Sequence, residues 1–306
     1  MRAIVAKKHV VATDVIEVVF DSCDSTFPVY TPGSHIDISI PGLGKRQYSL
    51  TGRGSEYSIA VQKELRGRGG SAYLHDILAV GDVVQISSPR NNFELFADRP
   101  LLFVAGGIGI TPFLSMLPFL DAEQFKLLYF CRSDDRVILR DRLADFERNN
   151  SAQIFLDHSP AETIDVVARF MFRETNPMRL YCCGPGKLND AVRDLCKDRV
   201  DVLFHSESFV AAAAPTQSVS SDFYAVIASS GQRIYVSPET TLLEALREAG
   251  IEVDSSCESG LCGTCKIPYE SGVVDHRDLV LSTDEKKTHL LACCSRAISG
   301  ELLLKI

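Results

Sequence analysis

Cys257-Glu-Ser-Gly-Leu-Cys262-Gly-Thr-Cys265 is the stretch that decides the fold of the C-terminal part of the chain, and Cys293 lies further along. Thiolates are soft ligands that suit iron in a tetrahedral field of sulfur. The C-x4-C-x2-C spacing with one distant cysteine is the plant-type [2Fe–2S] arrangement, whereas structural zinc sites usually pair cysteines as C-x2-C. The sequence therefore predicts a [2Fe–2S] cluster with thiolate ligands from this loop.

Two adjacent cysteines, Cys293 and Cys294, are candidates for the fourth ligand. Residues 290–295 have the character of a strand, in which successive side chains point to opposite faces of a sheet. Only one of the two thiols can therefore face the cysteine loop.

The composition of the whole chain is that of a globular protein with roughly two or three domains. It has 306 residues, 45% hydrophobic and 24% charged, and its net charge is −8. Residues 222–306 carry 13 acidic against 8 basic residues, which is about five of those eight charges. Because binding to phosphates requires surplus Lys and Arg, nucleic-acid binding is not expected.

Two segments of the sequence bear on where the protein is located, the N-terminus and one long uncharged run. Cations interrupt the N-terminus before a secretion signal can form. The uncharged run Leu101–Leu120 contains three glycines and two prolines, which would break a lipid-facing helix. We expect a cytoplasmic protein with reduced thiols and no membrane span.

Residues 1–98 alternate apolar and polar positions in short runs separated by Pro-Gly turns. Val15–Phe20, His35–Ile40 and Tyr57–Val61 are examples. This pattern predicts an antiparallel β-barrel, with one short helix over Ala72–Leu78.

Residues 99–209 alternate unbroken apolar strands with stretches of helical period, which predicts an α/β domain built on a parallel sheet. Its clearest helices are Val137–Arg148 and Lys187–Asp198. Residues 210–221 are small, polar and punctuated by proline, as expected of a linker. Residues 222–306 form a third, α+β domain in which Pro238 opens a helix over Glu239–Ala249.

Two glycine-containing turns follow strands of the α/β domain. Gly106-Gly-Ile-Gly-Ile-Thr-Pro112 follows Leu101–Ala105, and Cys182-Cys-Gly-Pro-Gly186 ends another strand. Such turns let a pyrophosphate approach backbone amides, although the first turn lacks the last glycine of the usual dinucleotide fingerprint. Because ligands gather at the carboxyl ends of parallel strands, both turns should border one crevice.

Arg46-Gln-Tyr-Ser-Leu50 and Gly67-Arg-Gly-Gly-Ser71 are the candidate ligand-binding segments of the barrel. An arginine pairs well with phosphate, and a glycine loop at the start of a helix offers backbone donors. Taken by themselves, both segments also fit an ordinary barrel surface and a hairpin loop.

The chain resembles the reductases that serve Rieske-type oxygenases, of the phthalate dioxygenase reductase type, and is similar to vanillate demethylase reductases. The resemblance covers essentially the full length, in the order flavin barrel, nicotinamide domain and β-grasp ferredoxin domain. The matching stretches are Arg46-Gln-Tyr-Ser-Leu50, Gly67-Arg-Gly-Gly-Ser71, Val104-Ala-Gly-Gly-Ile-Gly-Ile-Thr-Pro112, Tyr181-Cys-Cys-Gly-Pro185, Glu207-Ser-Phe209, Ser255–Cys265, Asp275-His-Arg-Asp278 and Cys294-Ser-Arg-Ala297.

The resemblance implies a role for each candidate residue. The FMN-binding set is Arg46, Tyr48, Ser49, Leu50, Gly69, Gly70 and Ser71. The nicotinamide crevice would be lined by Gly107, Thr111, Cys183, Gly184 and Pro185, and the catalytic residues would be Ser49, Thr111 and Cys183. Phe209 would stack on the flavin ring, and Cys293 would be the fourth cluster ligand beside Cys257, Cys262 and Cys265.

The implied activity is transfer of hydride from NADH to FMN, then of single electrons through the cluster to a terminal Rieske-type oxygenase. Asp134 or Asp135 would accept a hydrogen bond from the ribose and repel a 2′-phosphate, which favours NADH. A monomer would suffice, since one chain holds the whole path. A reductase for a non-Rieske acceptor and an iron–sulfur redox sensor are the alternatives.

Overall fold

The computed structural model describes residues 1–24, 26–64, 67, 69–174, 176–209, 221–255, 260, 263–278 and 280–306. The chain forms two compact units, Met1–Phe209 and Val210–Ile306. Cys257, Cys262 and all but the last residue of the expected linker lie outside the described residues. No helix in the described ranges is both long and apolar enough to cross a bilayer.

The first unit begins with a six-stranded antiparallel sheet. Its elements are β1 (Arg2–Ala12), β2 (Val15–Ser22), β3 (His35–Ile40), β4 (Gly44–Ser49), β5 (Tyr57–Gln62), helix α1 (Gly70–Asp76) and β6 (Val83–Ile86). The strand order is β4-β3-β6-β1-β2-β5, and an isolated bridge between Leu50 and Ile59 joins the two ends. Alternate residues such as Ile36 and Ile38 fill the interior. The sheet therefore closes into the expected barrel.

The same unit continues with a five-stranded parallel sheet. Its elements are β7 (Leu101–Gly106), α2 (Thr111–Met116), β8 (Phe125–Cys131), α3 (Arg140–Arg148), β9 (Ala152–Leu156), α4 (Pro160–Arg173), β10 (Met178–Cys183), α5 (Gly186–Cys196) and β11 (Val202–Glu207). The order is β11-β10-β7-β8-β9, so β7 and β10 are neighbours although far apart in sequence. This doubly wound order creates a crevice at the carboxyl ends of those two strands.

Two helices of this domain differ from the expectation. A helix over Val137–Arg148 is wrong at its start, because Leu139 has a left-handed φ of 49° and α3 begins only at Arg140. Helix α4 is missing from the prediction. Its start is encoded by a capping box, in which Ser159 accepts from the Glu162 backbone and Glu162 accepts from the Ser159 backbone.

The second unit is an α+β domain with the β-grasp arrangement. Its elements are β12 (Phe223–Ile227), β13 (Arg233–Val236), α6 (Leu242–Glu248), β14 (Lys266–Ser271), β15 (Val274–Asp275), β16 (His289–Leu291), β17 (Arg296–Ala297) and β18 (Glu301–Leu304). The main sheet has the order β13-β12-β18-β14-β16, with β12 and β18 parallel. The buried face of α6 packs into its core.

The expected helix over Glu239–Ala249 is wrong in its first turn. Thr241 is the N-cap, with a capping box to Glu244, so α6 begins at Leu242. Pro238 is instead the second residue of a turn, in which Thr240 donates its backbone N–H to the Ser237 carbonyl.

Candidate active site

The two glycine turns of the parallel-sheet domain are in direct contact at the crevice. A Cβ on Gly109 would lie only 2.0 Å from the Cys183 carbonyl oxygen, and one on Gly184 would lie 3.2 Å from the Gly106 Cα. Gly107 has a φ of 55°, and a Cβ there would meet nothing within 4 Å. The glycines thus bring the two turns together and leave open space in front of Gly107, as a dinucleotide requires.

Thr111 and Pro112 begin α2 behind this turn. The Thr111 side chain is buried, and its hydroxyl donates to the Ile108 carbonyl at 3.0 Å. Pro112 takes a first-turn position of the helix, where its missing N–H costs nothing. The bond from the Thr111 hydroxyl to the Ile108 carbonyl therefore stabilises the glycine turn that precedes α2.

Cys183 and Glu207 are neighbours at the carboxyl ends of β10 and β11. Burial, followed by the nearby Glu207 carboxyl, raises the pKa of the Cys183 thiol well above its usual range. Glu207 is half-buried, yet its Oε2 is inaccessible and has no partner among the described residues. Burial raises the pKa of Glu207 to about 8, so both groups are largely uncharged at neutral pH.

Glu207 is a candidate that the sequence reasoning left without a role. Its position could have been inferred from the sequence, because adjacent parallel strands end at the same edge of a sheet and Glu207 ends the strand beside that of Cys183. A buried, protonated carboxyl without a partner is suited to a hydrogen bond with a ligand. Asn189 holds this edge together, since its Nδ2 donates to the Glu207 carbonyl at 2.9 Å and to the Gly184 carbonyl at 3.5 Å.

Phe209, two residues beyond β11, ends the first unit and is 43% exposed. A solvent-exposed aromatic ring beside a crevice can stack on a planar ligand.

On the barrel, Arg46 lies against the glycine loop. A Cβ on Gly70 would lie 2.7 Å from the Arg46 Cγ, so the arginine side chain passes directly over the start of α1. Gly69 has a φ of 82°, and the Ser71 hydroxyl accepts from the Glu64 backbone at 2.9 Å. A guanidinium beside a tight glycine loop fits a phosphate group.

Tyr48, Ser49 and Leu50 differ in what they offer a ligand. Tyr48 is half-buried, and burial raises the pKa of its hydroxyl to about 12. Ser49 is buried, and its hydroxyl has no partner among the described residues. Leu50 has its side chain in the barrel core and donates its N–H to the Ser34 carbonyl at 2.9 Å. The unpaired Ser49 hydroxyl fits a polar ring atom of a flavin.

Asp134 and Asp135 lie after β8 and are both engaged with the protein. The Asp135 carboxylate accepts from the hydroxyls of Thr13 and Ser133, and the Asp134 carboxylate pairs with Arg140. Asp135 also accepts the Thr13 backbone N–H at 2.8 Å. Asp135 therefore ties the parallel-sheet domain to the barrel.

In the second unit, Cys265 and Cys293 are both buried, with 2% and 4% of their surface exposed. The pKa of Cys293 is raised to about 12; the neighbouring Cys265 thiol and the Gly260 N–H lower it, while the Cys294 thiol and burial raise it. Two buried sulfurs and a loop N–H in one place fit an iron–sulfur group. The predicted ligands Cys257 and Cys262 lie outside the described residues.

The expected strand over residues 290–295 is wrong beyond Leu291. Strand β16 ends there, and a turn follows in which the N–H groups of Cys294 and Ser295 both bond to the Leu291 carbonyl. Strand alternation therefore does not choose between the two cysteines. Cys293 is buried, whereas Cys294 is half-buried.

A family model for the 2Fe-2S iron-sulfur cluster binding domain matches residues 226–297. The chain is 37% identical to phthalate dioxygenase reductase of Burkholderia cepacia, with all of this chain and 97% of the relative covered. It is 39% identical to the vanillate O-demethylase oxidoreductase of Pseudomonas sp. (strain HR199 / DSM 7063), with both chains covered completely. A solved structure of phthalate dioxygenase reductase matches with a TM-score of 0.79 and 36% identity, over all of this chain and 98% of that one.

A closed barrel, a doubly wound parallel sheet and a [2Fe–2S] domain in one chain define an iron–sulfur flavoprotein oxidoreductase. The chain belongs to the phthalate dioxygenase reductase family. This confirms the expected fold class and the expected enzyme class.

Proposed function

We propose that this protein is the reductase component of a Rieske-type oxygenase, working as a monomer in the cytoplasm. It would take hydride from NADH onto FMN and pass single electrons through its [2Fe–2S] cluster to the terminal oxygenase. The observation that carries the proposal is full-length similarity to reductases of oxygenase systems, with all three domains in one chain.

A flavin exchanges electrons in pairs or singly, whereas the cluster takes one at a time. The chain's own residues provide positions for both reactants. Arg46 and the Gly69-Gly70-Ser71 loop would hold the FMN phosphate, and Tyr48 and Ser49 would contact the ring. This division is supported by the packing of Arg46 on Gly70 and by the unpaired Ser49 hydroxyl.

The nicotinamide would enter the crevice between the two glycine turns, bordered by Gly107, Thr111, Cys183, Gly184 and Pro185. Phe209 would cover the flavin ring until the nicotinamide displaces it. Because the raised pKa values keep Cys183 and Glu207 largely uncharged at neutral pH, these groups would bind the nicotinamide by hydrogen bonding without adding charge.

Anaerobic titration of the purified protein tests this function. We expect about one FMN and one [2Fe–2S] cluster per chain, and NADH should bleach the flavin absorption far more efficiently than NADPH. The proposed reason is that Asp134 or Asp135 would accept a hydrogen bond from the ribose and repel a 2′-phosphate. Equal efficiency with the two nucleotides would contradict the NADH assignment. Failure to reduce a purified Rieske oxygenase, with dyes still reduced, would contradict the partner.

Ionic strength tests whether the acidic C-terminal domain docks by charge. The surplus of acidic residues in 222–306 would attract a partner with a basic surface and speed the encounter. Raising the salt concentration should therefore slow electron transfer to the oxygenase while leaving reduction of the flavin by NADH little changed. The second rate is the internal control, and equal slowing of both rates would contradict docking by charge.

A further inference from the structure

His35 is a buried polar side chain with no assigned task. It is 1% exposed, and neither Nδ1 nor Nε2 has a hydrogen-bond partner among the described residues. Both backbone groups of His35 are hydrogen-bonded, since its N–H donates to the Arg90 carbonyl at 2.8 Å and its carbonyl accepts from the Arg90 N–H at 3.0 Å. Burying an unpaired imidazole costs free energy unless a ligand or water pairs with it.

His35 lies directly opposite Ser49 in the register of β3 and β4. The neighbouring bond from the Leu50 N–H to the Ser34 carbonyl makes this a non-hydrogen-bonded pair, whose Cβ atoms lie about 4.5–5.5 Å apart. Both side chains project from the same face of the barrel. Three buried atoms that have no partner within the described ranges, the two imidazole nitrogens and the Ser49 Oγ, therefore belong to two directly opposed residues.

That face of the barrel is turned toward the parallel-sheet domain. Gly33 lies two residues before His35, and its N–H donates to the Ser115 hydroxyl in α2 at 3.0 Å. A Cβ on Gly33 would lie 2.7 Å from the Met116 Cε. His35 is thus close to the junction where a flavin must meet a nicotinamide.

The electrostatic surroundings of His35 favour a neutral ligand group. Burial and the Arg90 guanidinium lower the pKa of His35 to about 4, although Asp37 opposes them. The imidazole is therefore uncharged at neutral pH and offers one donor and one acceptor. This suits the edge of a heterocyclic ring, which has both kinds of atom, better than it suits a phosphate.

We propose that His35 is a flavin-binding residue that, together with Ser49, forms hydrogen bonds to one edge of the FMN ring. The inference rests on the proposed function, because it requires that the barrel hold FMN.

The test uses the full-length protein with its cluster intact, stripped of flavin and then titrated with FMN by fluorescence. His35→Leu should weaken FMN binding roughly tenfold, the loss expected for one hydrogen bond to a buried group. The melting temperature of the flavin-free protein should be unchanged or raised, because leucine removes an unpaired polar group. His35→Gln, which keeps a donor and an acceptor, should bind FMN more tightly than His35→Leu.

Ser49→Ala supplies the matched partner variant. If both side chains serve one ring edge, the double variant should lose less affinity than the product of the two single losses. His158→Leu, at an exposed histidine of the parallel-sheet domain, should leave FMN affinity unchanged.

A purely structural His35 would give the opposite pattern. Unchanged FMN affinity in His35→Leu, or a variant that melts lower or fails to fold without flavin, would overturn the inference. If the unaltered protein binds no FMN, the proposed function fails and the inference fails with it; normal binding by the unaltered protein separates the two cases.

Discussion

Replacing Cys293 by serine is expected to abolish the [2Fe–2S] cluster or strongly destabilise it, while flavin content and NADH oxidation with dyes stay largely intact. Cys293 is buried against Cys265 and receives the Gly260 N–H, and a serine hydroxyl is a poor substitute for a thiolate on iron. Iron and sulfide per chain, together with the visible absorption spectrum, measure the loss.

Cys294→Ser is the matched control, because it removes the adjacent thiol and should keep a full iron and sulfide complement. A Cβ on Gly260 would lie 2.9 Å from the Cys294 sulfur. Both thiols therefore border the same loop residue, and the two variants test which of them is the ligand. If the cluster is lost from Cys294→Ser and retained in Cys293→Ser, the assignment of the fourth ligand is wrong by one residue.

Replacing Glu207 by glutamine should change how stability depends on pH. The pKa of Glu207 is about 8 in the folded protein and about 4.3 in an unfolded chain. The folded state therefore binds more protons between these values, so the stability of the unaltered protein falls as the pH rises through this window. Glutamine has no proton to lose, so Glu207→Gln should melt higher than the unaltered protein at pH 9, by roughly 5 °C or more.

The rate of flavin reduction by NADH gives a second measurement on the same variant. In the unaltered protein it should change with an apparent pKa near 8, because the Glu207 carboxyl beside Cys183 becomes charged there. That titration should disappear in Glu207→Gln. Melting temperatures that differ by a constant amount from pH 6 to pH 9 would contradict a Glu207 carboxyl that is protonated at neutral pH.

The features of the fold that can be predicted from the sequence are those set by a local pattern or by a general rule of sheet topology. Strands such as β7 and β10 are predictable because their unbroken apolar runs fit a sheet buried on both faces. The contact between their glycine turns is predictable because parallel strands end at one edge. Helix α4 was missed although its capping box, Ser159 to Glu162, is local.

The remaining features are visible only in the folded chain. The left-handed Leu139 shortens α3, and the turn after Leu291 removes the alternation on which the reasoning about Cys293 and Cys294 relied. The atoms of His35 and Glu207 that have no partner in the described part of the chain are properties of the packed protein. Only the tertiary structure shows which polar groups remain without partners after every local bond has been formed.

The double engagement of Asp135 bears on attempts to redesign coenzyme use. An engineer who replaced Asp135 to admit a 2′-phosphate would also remove the acceptor of the Thr13 hydroxyl, which joins the barrel to the parallel-sheet domain. Under the proposed NADH assignment, coenzyme selectivity and the attachment of the two domains would therefore depend on the same side chain. If the proposed NADH assignment holds, we expect substitution of Asp134, whose described partner Arg140 belongs to its own domain, to favour NADPH while leaving the bond between Thr13 and Asp135 in place.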